Sequence, residues 1–211
     1  MSAAAAPIAP PRAASPAPAI PVRPFTPDDY PALVAVTNAV HPDYPETVEE
    51  MRYNDETRDP KCRWARWLAE ADDGSAVGVG EYSQHEGMYH PRKFDLAVNV
   101  LPECEGRGIG SRLFETVVHA LAPFDPITLR GEVREDRARG LEFARDRGFA
   151  EGMREWESRL NVPTFDFAPF AGAEERVRDE GIVLKTMADL LAADGPAATY
   201  RKLFDLEWEL S

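Results

Sequence analysis

The sequence predicts a mixed α/β (α+β) fold, with a mostly antiparallel central sheet flanked by helices. Three observations carry that expectation. Two β-rich runs, 63–71 and 76–84, are joined by the hairpin turn Asp72-Asp73-Gly74-Ser75. Phe94, Leu96, Val98 and Val100 then alternate with other residues, the period-two pattern of a strand with one buried face. Beyond the glycines that follow, Ile109, Leu113, Phe114, Val117, Val118 and Leu121 fall on one stripe at helical spacing. An antiparallel meander therefore runs into a strand–turn–helix unit.

Taken in order, residues 1–19 are almost entirely Ala and Pro and lack the basic start and apolar core of a signal peptide. They cannot bury enough surface to order themselves and read as a disordered tail. A short strand over 20–25 is followed by Thr26-Pro27-Asp28-Asp29, a helix start with a capping hydroxyl, Pro at the first position and acids facing the dipole. Thr47-Val48-Glu49-Glu50 is a capping box opening a second short helix. Met51 and Tyr53 on that helix are candidates to line a substrate cleft. Gly78 and Gly80 inside the second hairpin strand predict a bulge or a close neighbour. After the helix over 109–121 come a strand over 127–133, a helix over 137–147 closed by Gly148, and a strand over 153–162.

Between the strand ending at Val100 and its following helix, three glycines alternate with other residues: Gly106-Arg107-Gly108-Ile109-Gly110. Glycine permits left-handed dihedrals and close approach of a ligand. The first amides of a helix have no intrahelical acceptor and carry the positive end of its dipole, so the turn suits a phosphate or diphosphate. Arg107 and Arg112 add charge. A dinucleotide fold calls for G-x-G-x-x-G directly after its first strand, and a P-loop for Lys-Ser or Lys-Thr after the last glycine. Here the spacing is G-x-G-x-G, and Ser111-Arg112 follows.

Val100-Leu101-Pro102 followed by Gly106-Arg107-Gly108-Ile109-Gly110 resembles the coenzyme A signature of the GNAT N-acetyltransferase superfamily. Gly108 and Gly110 match that signature; its Arg or Gln position is Glu105 here. The helix ending at Gly148-Phe149 resembles the family's second signature, with Ala144 where many members carry a proton-donating tyrosine and Arg137 where an asparagine is usual. The resemblance covers residues 20–162 as an acetyltransferase-like domain. It implies acetyl-CoA as co-substrate, no metal, and a CoA site at Asn99, Val100, Glu105, Gly106, Arg107, Gly108, Ile109, Gly110, Ser111 and Arg112. Residues 163–211 loosely repeat the strand-then-helix order of the N-terminal part. They resemble the opening of a second domain in tandem two-domain members, and a generic C-terminal extension is an equal alternative. Apolar Leu203 and Phe204 there predict self-association as a homodimer or capture by a partner.

With 24 basic and 37 acidic residues the net charge is −13, which argues against nucleic-acid binding. No stretch approaches the roughly 20 apolar residues of a membrane span. Two cysteines give no disulfide framework and point to a reducing, cytoplasmic compartment.

The resemblance implies direct acetyl transfer to a primary amine of a small molecule or peptide. A neutral amine is needed for attack, which calls for a base. Glu81, on the strand before the glycine-turn strand, is the first candidate, and His85 in the following loop the second. The developing charge on the thioester oxygen needs a donor. The backbone amides of Asn99 and Val100 are the nearest, and the sequence leaves both open. A non-catalytic acyl-CoA-binding module is the second interpretation, favoured by Glu105 and Ala144. A nucleotide-fold methyltransferase is the third.

Overall fold

Every strand of the sheet lies beside its neighbour in chain order. In a computed structural model, which describes residues 20–210, β1 (Val22–Pro24), β2 (Ala65–Glu70), β3 (Ala76–Ser83), β4 (Lys93–Val100) and β5 (Thr128–Arg130) form one sheet in the order β1-β2-β3-β4-β5. The first three pairings are antiparallel and β4–β5 is parallel, so the sheet is mixed and mostly antiparallel as expected. The tail predicted over 1–19 lies outside the described residues. The chain divides into two units, Met1–Gly152 and Met153–Ser211, and the sheet belongs to the first.

Helices α1 (Tyr30–Val40) and α2 (Val48–Thr57) connect β1 to β2; α3 (Ile109–Leu121) carries the chain from β4 to β5, and α4 (Ala138–Arg145) follows. Their starts obey local chemistry. Thr26 N–H and Oγ1 both donate to Asp29 Oδ2, closing a 3₁₀ turn ahead of α1. At α2, Glu50 N–H donates to Thr47 Oγ1 at 3.1 Å while Thr47 N–H donates to Glu50 Oε2 at 2.9 Å.

Strand parity divides the core in two. Even-numbered Tyr82, Phe94 and Leu96 pack with Phe114, Val117 and Leu121 of α3. Odd-numbered Val79 packs with Leu68 and with Tyr30, Leu33 and Val36 of α1 on the opposite face. Full burial of side chains such as Leu113 and Val117 contributes about 1.5–3 kcal/mol each. Gly78 and Gly80 face α3: a Cβ on Gly80 would stand 3.1 Å from Leu113 Cβ and 3.2 Å from Val117 Cγ2. The absent side chains let the helix seat directly on the strand, which is the close neighbour the sequence predicts.

Three expectations differ from the structure. The strand predicted over 127–133 is confined to Thr128–Arg130. Residues 153–161 form no strand, and the strand of the strand-then-helix order expected within 163–211 is absent, with residues 182–186 ahead of the last helix irregular. Alternation specifies which faces a segment would present; it supplies no partner for the backbone hydrogen bonds. The second unit instead contains α5 (Ala173–Asp179) and α6 (Met187–Leu210), the latter interrupted where Gly195 takes φ +72° ahead of Pro196. No helix among the described residues is long and apolar enough to cross a membrane.

Candidate active site

The glycine turn is built by backbone conformation. After β4, Leu101 N–H donates to Val77 O at 3.0 Å, and a 3₁₀ turn over Pro102–Cys104 buries Cys104 beside Ile109 and Leu113. Gly106 and Gly108 then take φ of +76° and +82°, the left-handed region that glycine enters without strain. Gly108 is the residue before α3, and no side chain caps that helix. The first amide of the helix to find an acceptor in the turn is Arg112 N–H, on Gly108 O at 3.1 Å. Those of Ile109, Gly110 and Ser111 belong to the first turn, which has no acceptor of its own.

Two arginines reach this turn from outside the motif. Arg139, on α4, ion-pairs with Glu105 at 3.2 Å, and its Nη2 lies 2.7 Å from where a Gly106 Cβ would stand. Arg147 donates to Ser111 Oγ at 2.7 Å, with its guanidinium 3.5 Å from the Phe143 ring centroid. Arg139 thus neutralises, through tertiary contact, the carboxylate that the motif carries at Glu105. The signal was not readable locally, because nothing in the spacing of 139 and 105 tells that they meet.

The β4 register separates the two oxyanion-donor candidates. Leu101 bonds to Val77, and Val79 pairs with Asn99, so odd-numbered amides of β4 face β3. The Val100 amide therefore faces the other way, toward the side where β5 pairs only as far as Asp95. The Asn99 side chain projects to the α1 face, where its Oδ1 lies 3.1 Å from His41 Nε2.

On that face is a cavity of about 200 Å³. Its polar wall holds Glu46, Glu81, Asp55, Arg58, Arg66 and Asn99, with Leu33, Met51 and Val79 as apolar lining. Arg66 is only 8% exposed and joins two carboxylates, donating to Glu81 Oε2 at 2.7 Å and to Asp55 Oδ2 at 2.9 Å. Tyr30 OH also donates to Asp55 Oδ2. Glu46 is fixed by Asn38, whose side-chain amide donates to Glu46 O and accepts from Glu46 N–H, both at 2.9 Å. Its carboxylate has no hydrogen bond or ion pair among the described residues. Burial first, then the charges of Glu81 and Glu50, hold the Glu46 carboxyl above the ordinary carboxylate value, against the pull of Arg66 and His41. A larger hollow of about 320 Å³ lies across Asp55, walled by Phe25, Tyr30, Trp64 and Arg52, and no β4 residue lines it.

Of the residues singled out from sequence, the structure places Glu81 and Asn99 in the cavity wall and Val100 and the 105–112 turn on the α3 side of the same strand end. His85 sits on the exposed turn after β3, its Nδ1 accepting from Gly87 N–H, and is not among the cavity-lining residues. Met51 lines the cavity, whereas Tyr53 is 65% exposed. Sequence reasoning passed over Glu46, Arg58, Arg66 and Arg139.

The profile of the Acetyltransferase (GNAT) family matches residues 30–149. No curated protein matches the chain. Among solved structures, a ribosomal-protein-alanine N-acetyltransferase from Brucella melitensis is 24% identical over 63% of this chain and 85% of its own, with a TM-score of 0.53. A Trypanosoma brucei acetyltransferase is 15% identical, covering 66% of this chain and 99% of its own, with a TM-score of 0.51. An aminoglycoside 6'-N-acetyltransferase from Acinetobacter baumannii is 20% identical, covering 67% and 98%, with a TM-score of 0.50. At these identities the likeness is one of fold.

Proposed function

The chain belongs to the GNAT acetyltransferase family, and we propose that it is an acetyl-CoA-dependent N-acetyltransferase that moves the acetyl group directly to a primary amine. One observation carries the proposal: the left-handed Gly106–Gly108 turn opens α3 beside the end of β4, where the Val100 amide faces away from β3 and a carboxylate cavity lies on the opposite face. The turn suits a diphosphate because its left-handed glycines open a helix whose first amides have no acceptor of their own, with the Arg139 guanidinium against Gly106. Ile109, Gly110 and Ser111 would hold that group by their amides, with Arg107, Arg112 and Arg139 supplying charge.

The chain's own groups then divide the work. Glu81, held in place by Arg66 Nε, adds the negative charge that draws the protonated amine into the cavity. Glu46, with no ion-pair partner among the described residues, takes one proton from it. The neutral nitrogen forms a bond to the thioester carbonyl carbon as the C–S bond breaks. The Val100 N–H donates to the carbonyl oxygen as negative charge develops there. The departing thiolate takes a proton from water, since Ala144 offers none, and that water is restored by the proton that leaves the newly acylated nitrogen. His85 takes no part in this chemistry. Two free buried cysteines accord with a reducing, cytoplasmic setting.

Calorimetry with acetyl-CoA, CoA and S-adenosylmethionine, joined to a thiol-release assay over a panel of amines, tests the proposal. Binding of the two CoA species with thiol release upholds it. Binding without release from any amine leaves the non-catalytic acyl-CoA module, and binding of S-adenosylmethionine alone overturns both.

A further inference from the structure

The wall of the cavity of about 200 Å³ carries three carboxylates, Glu46, Asp55 and Glu81, and two guanidinium groups, Arg58 and Arg66. Arg66 satisfies Asp55 and Glu81 together. That leaves one carboxylate, Glu46, and one guanidinium, Arg58. Arg58 Nε is buried with no hydrogen-bond partner among the described residues. Among the described residues the single polar contact of the Arg58 side chain is Nη2 to Asp55 Oδ1 at 3.4 Å, long for a charged pair, and the other Asp55 oxygen is taken by Arg66 and Tyr30. The Arg58 guanidinium also lies 5.5 Å from the Trp64 ring centroid, which holds it in place without using its donors. Glu46 and Arg58 line the same cavity and do not pair with each other among the described residues.

A buried donor without a partner is costly, and such groups in a native structure ask for an explanation. We propose that this cavity takes a compact zwitterion, an amino acid whose amino group lies against Glu46 and whose carboxylate is received by Arg58. This names the acceptor class of the proposed acetyl transfer and rests on that proposal. The apolar lining of Leu33, Met51 and Val79 fits a small aliphatic side chain, and the volume lies below the range of drug-sized ligands. A purely cationic acceptor such as a polyamine would bring positive charge against Arg58. An amino sugar, which has no carboxylate, would leave the Arg58 donor without an anionic partner.

The test uses the full chain with saturating acetyl-CoA and three matched acceptor sets: aliphatic α-amino acids, their carboxamides, and the corresponding decarboxylated amines. The same probes are titrated by calorimetry without acetyl-CoA. Free acids are expected to exceed both other sets at least tenfold in kcat/KM and in affinity. Arg58→Gln is expected to erase that preference through KM, and Arg58→Lys, which keeps the charge, to retain part of it. Carboxamides equal to the acids would mean a peptide amino terminus is being read and would overturn the inference, as would decarboxylated amines equal to the acids. Acids that bind selectively with no thiol release would overturn the transfer reaction and uphold the site. Should Arg58→Gln fail to fold, the wild-type ratios and Arg58→Lys decide the outcome.

Discussion

Arg66 and Glu81 stand opposite each other across the β2–β3 ladder, and Arg66 Nε donates to Glu81 Oε2 at 2.7 Å. The strand pairing itself delivers this contact. The same guanidinium, between the rings of Phe25 and Trp64, also holds Asp55 of α2. Sheet and helix are thus tied at the cavity wall by one buried cation. Burial opposes its charge, but Glu81 and Asp55 outweigh that and raise its pKa.

Replacing that cation is expected to be costly. Arg66→Met would leave Asp55, whose side chain is 5% exposed, without its shortest ion pair. Breaking a buried pair in this way destabilises by about 3–5 kcal/mol. Urea unfolding should show this loss, and a much smaller one for Glu81→Gln, because Glu81 is 32% exposed and the solvent screens it.

The glycine turn should be intolerant of a Cβ. Gly108 at φ +82° would put alanine in the left-handed region, at a cost of about 1–2 kcal/mol. Gly108→Ala is therefore expected to lower stability modestly and acetyl-CoA affinity tenfold or more, measured by calorimetry at a temperature where the variant is folded.

Helix seating gives a second backbone test. Gly80→Ala would bring a Cβ to 3.1 Å from Leu113 and displace α3, costing about 1–3 kcal/mol in a thermal melt. Gly152→Ala, with open space around the site and no positive φ, should stay within about 0.5 kcal/mol of the wild type.

Glu46 should show a trade between stability and activity. Its folded pKa is raised, so its stabilising protonated form is complete at acid pH and is lost as pH rises through the folded value. At neutral pH the wild type therefore carries a cost that Glu46→Gln removes. The variant should melt higher at pH 7, with the difference closing below the ordinary glutamate pKa of about 4.3. Its kcat should fall by about 10²–10⁴, and the acid limb of the rate–pH profile should disappear.

Glu105 sits beside the amides proposed to hold a diphosphate. Removing its charge in Glu105→Gln also releases Arg139. A charge near a helix N-terminus is worth about 0.3–1 kcal/mol, which corresponds to an acetyl-CoA affinity gain of about two- to fivefold, smaller at high salt.

The sequence by itself determined the elements whose signals are local. The α3 stripe from Ile109 to Leu121, the Asp72–Ser75 hairpin turn, the Thr47–Glu50 capping box and the Gly106–Gly110 turn all follow from spacings of a few residues, and each formed where its chemistry required. Tertiary structure decided whatever depended on a distant partner. Residues 153–161 alternate and form no strand, because backbone hydrogen bonds need an edge that alternation cannot provide. Arg139 meets Glu105 across 34 positions, and Glu46 and Arg58 come to one cavity from the two ends of α2. Charged side chains have no period and act over distances fixed by folding alone, so the turn could be read from the chain and the cavity beside it could not.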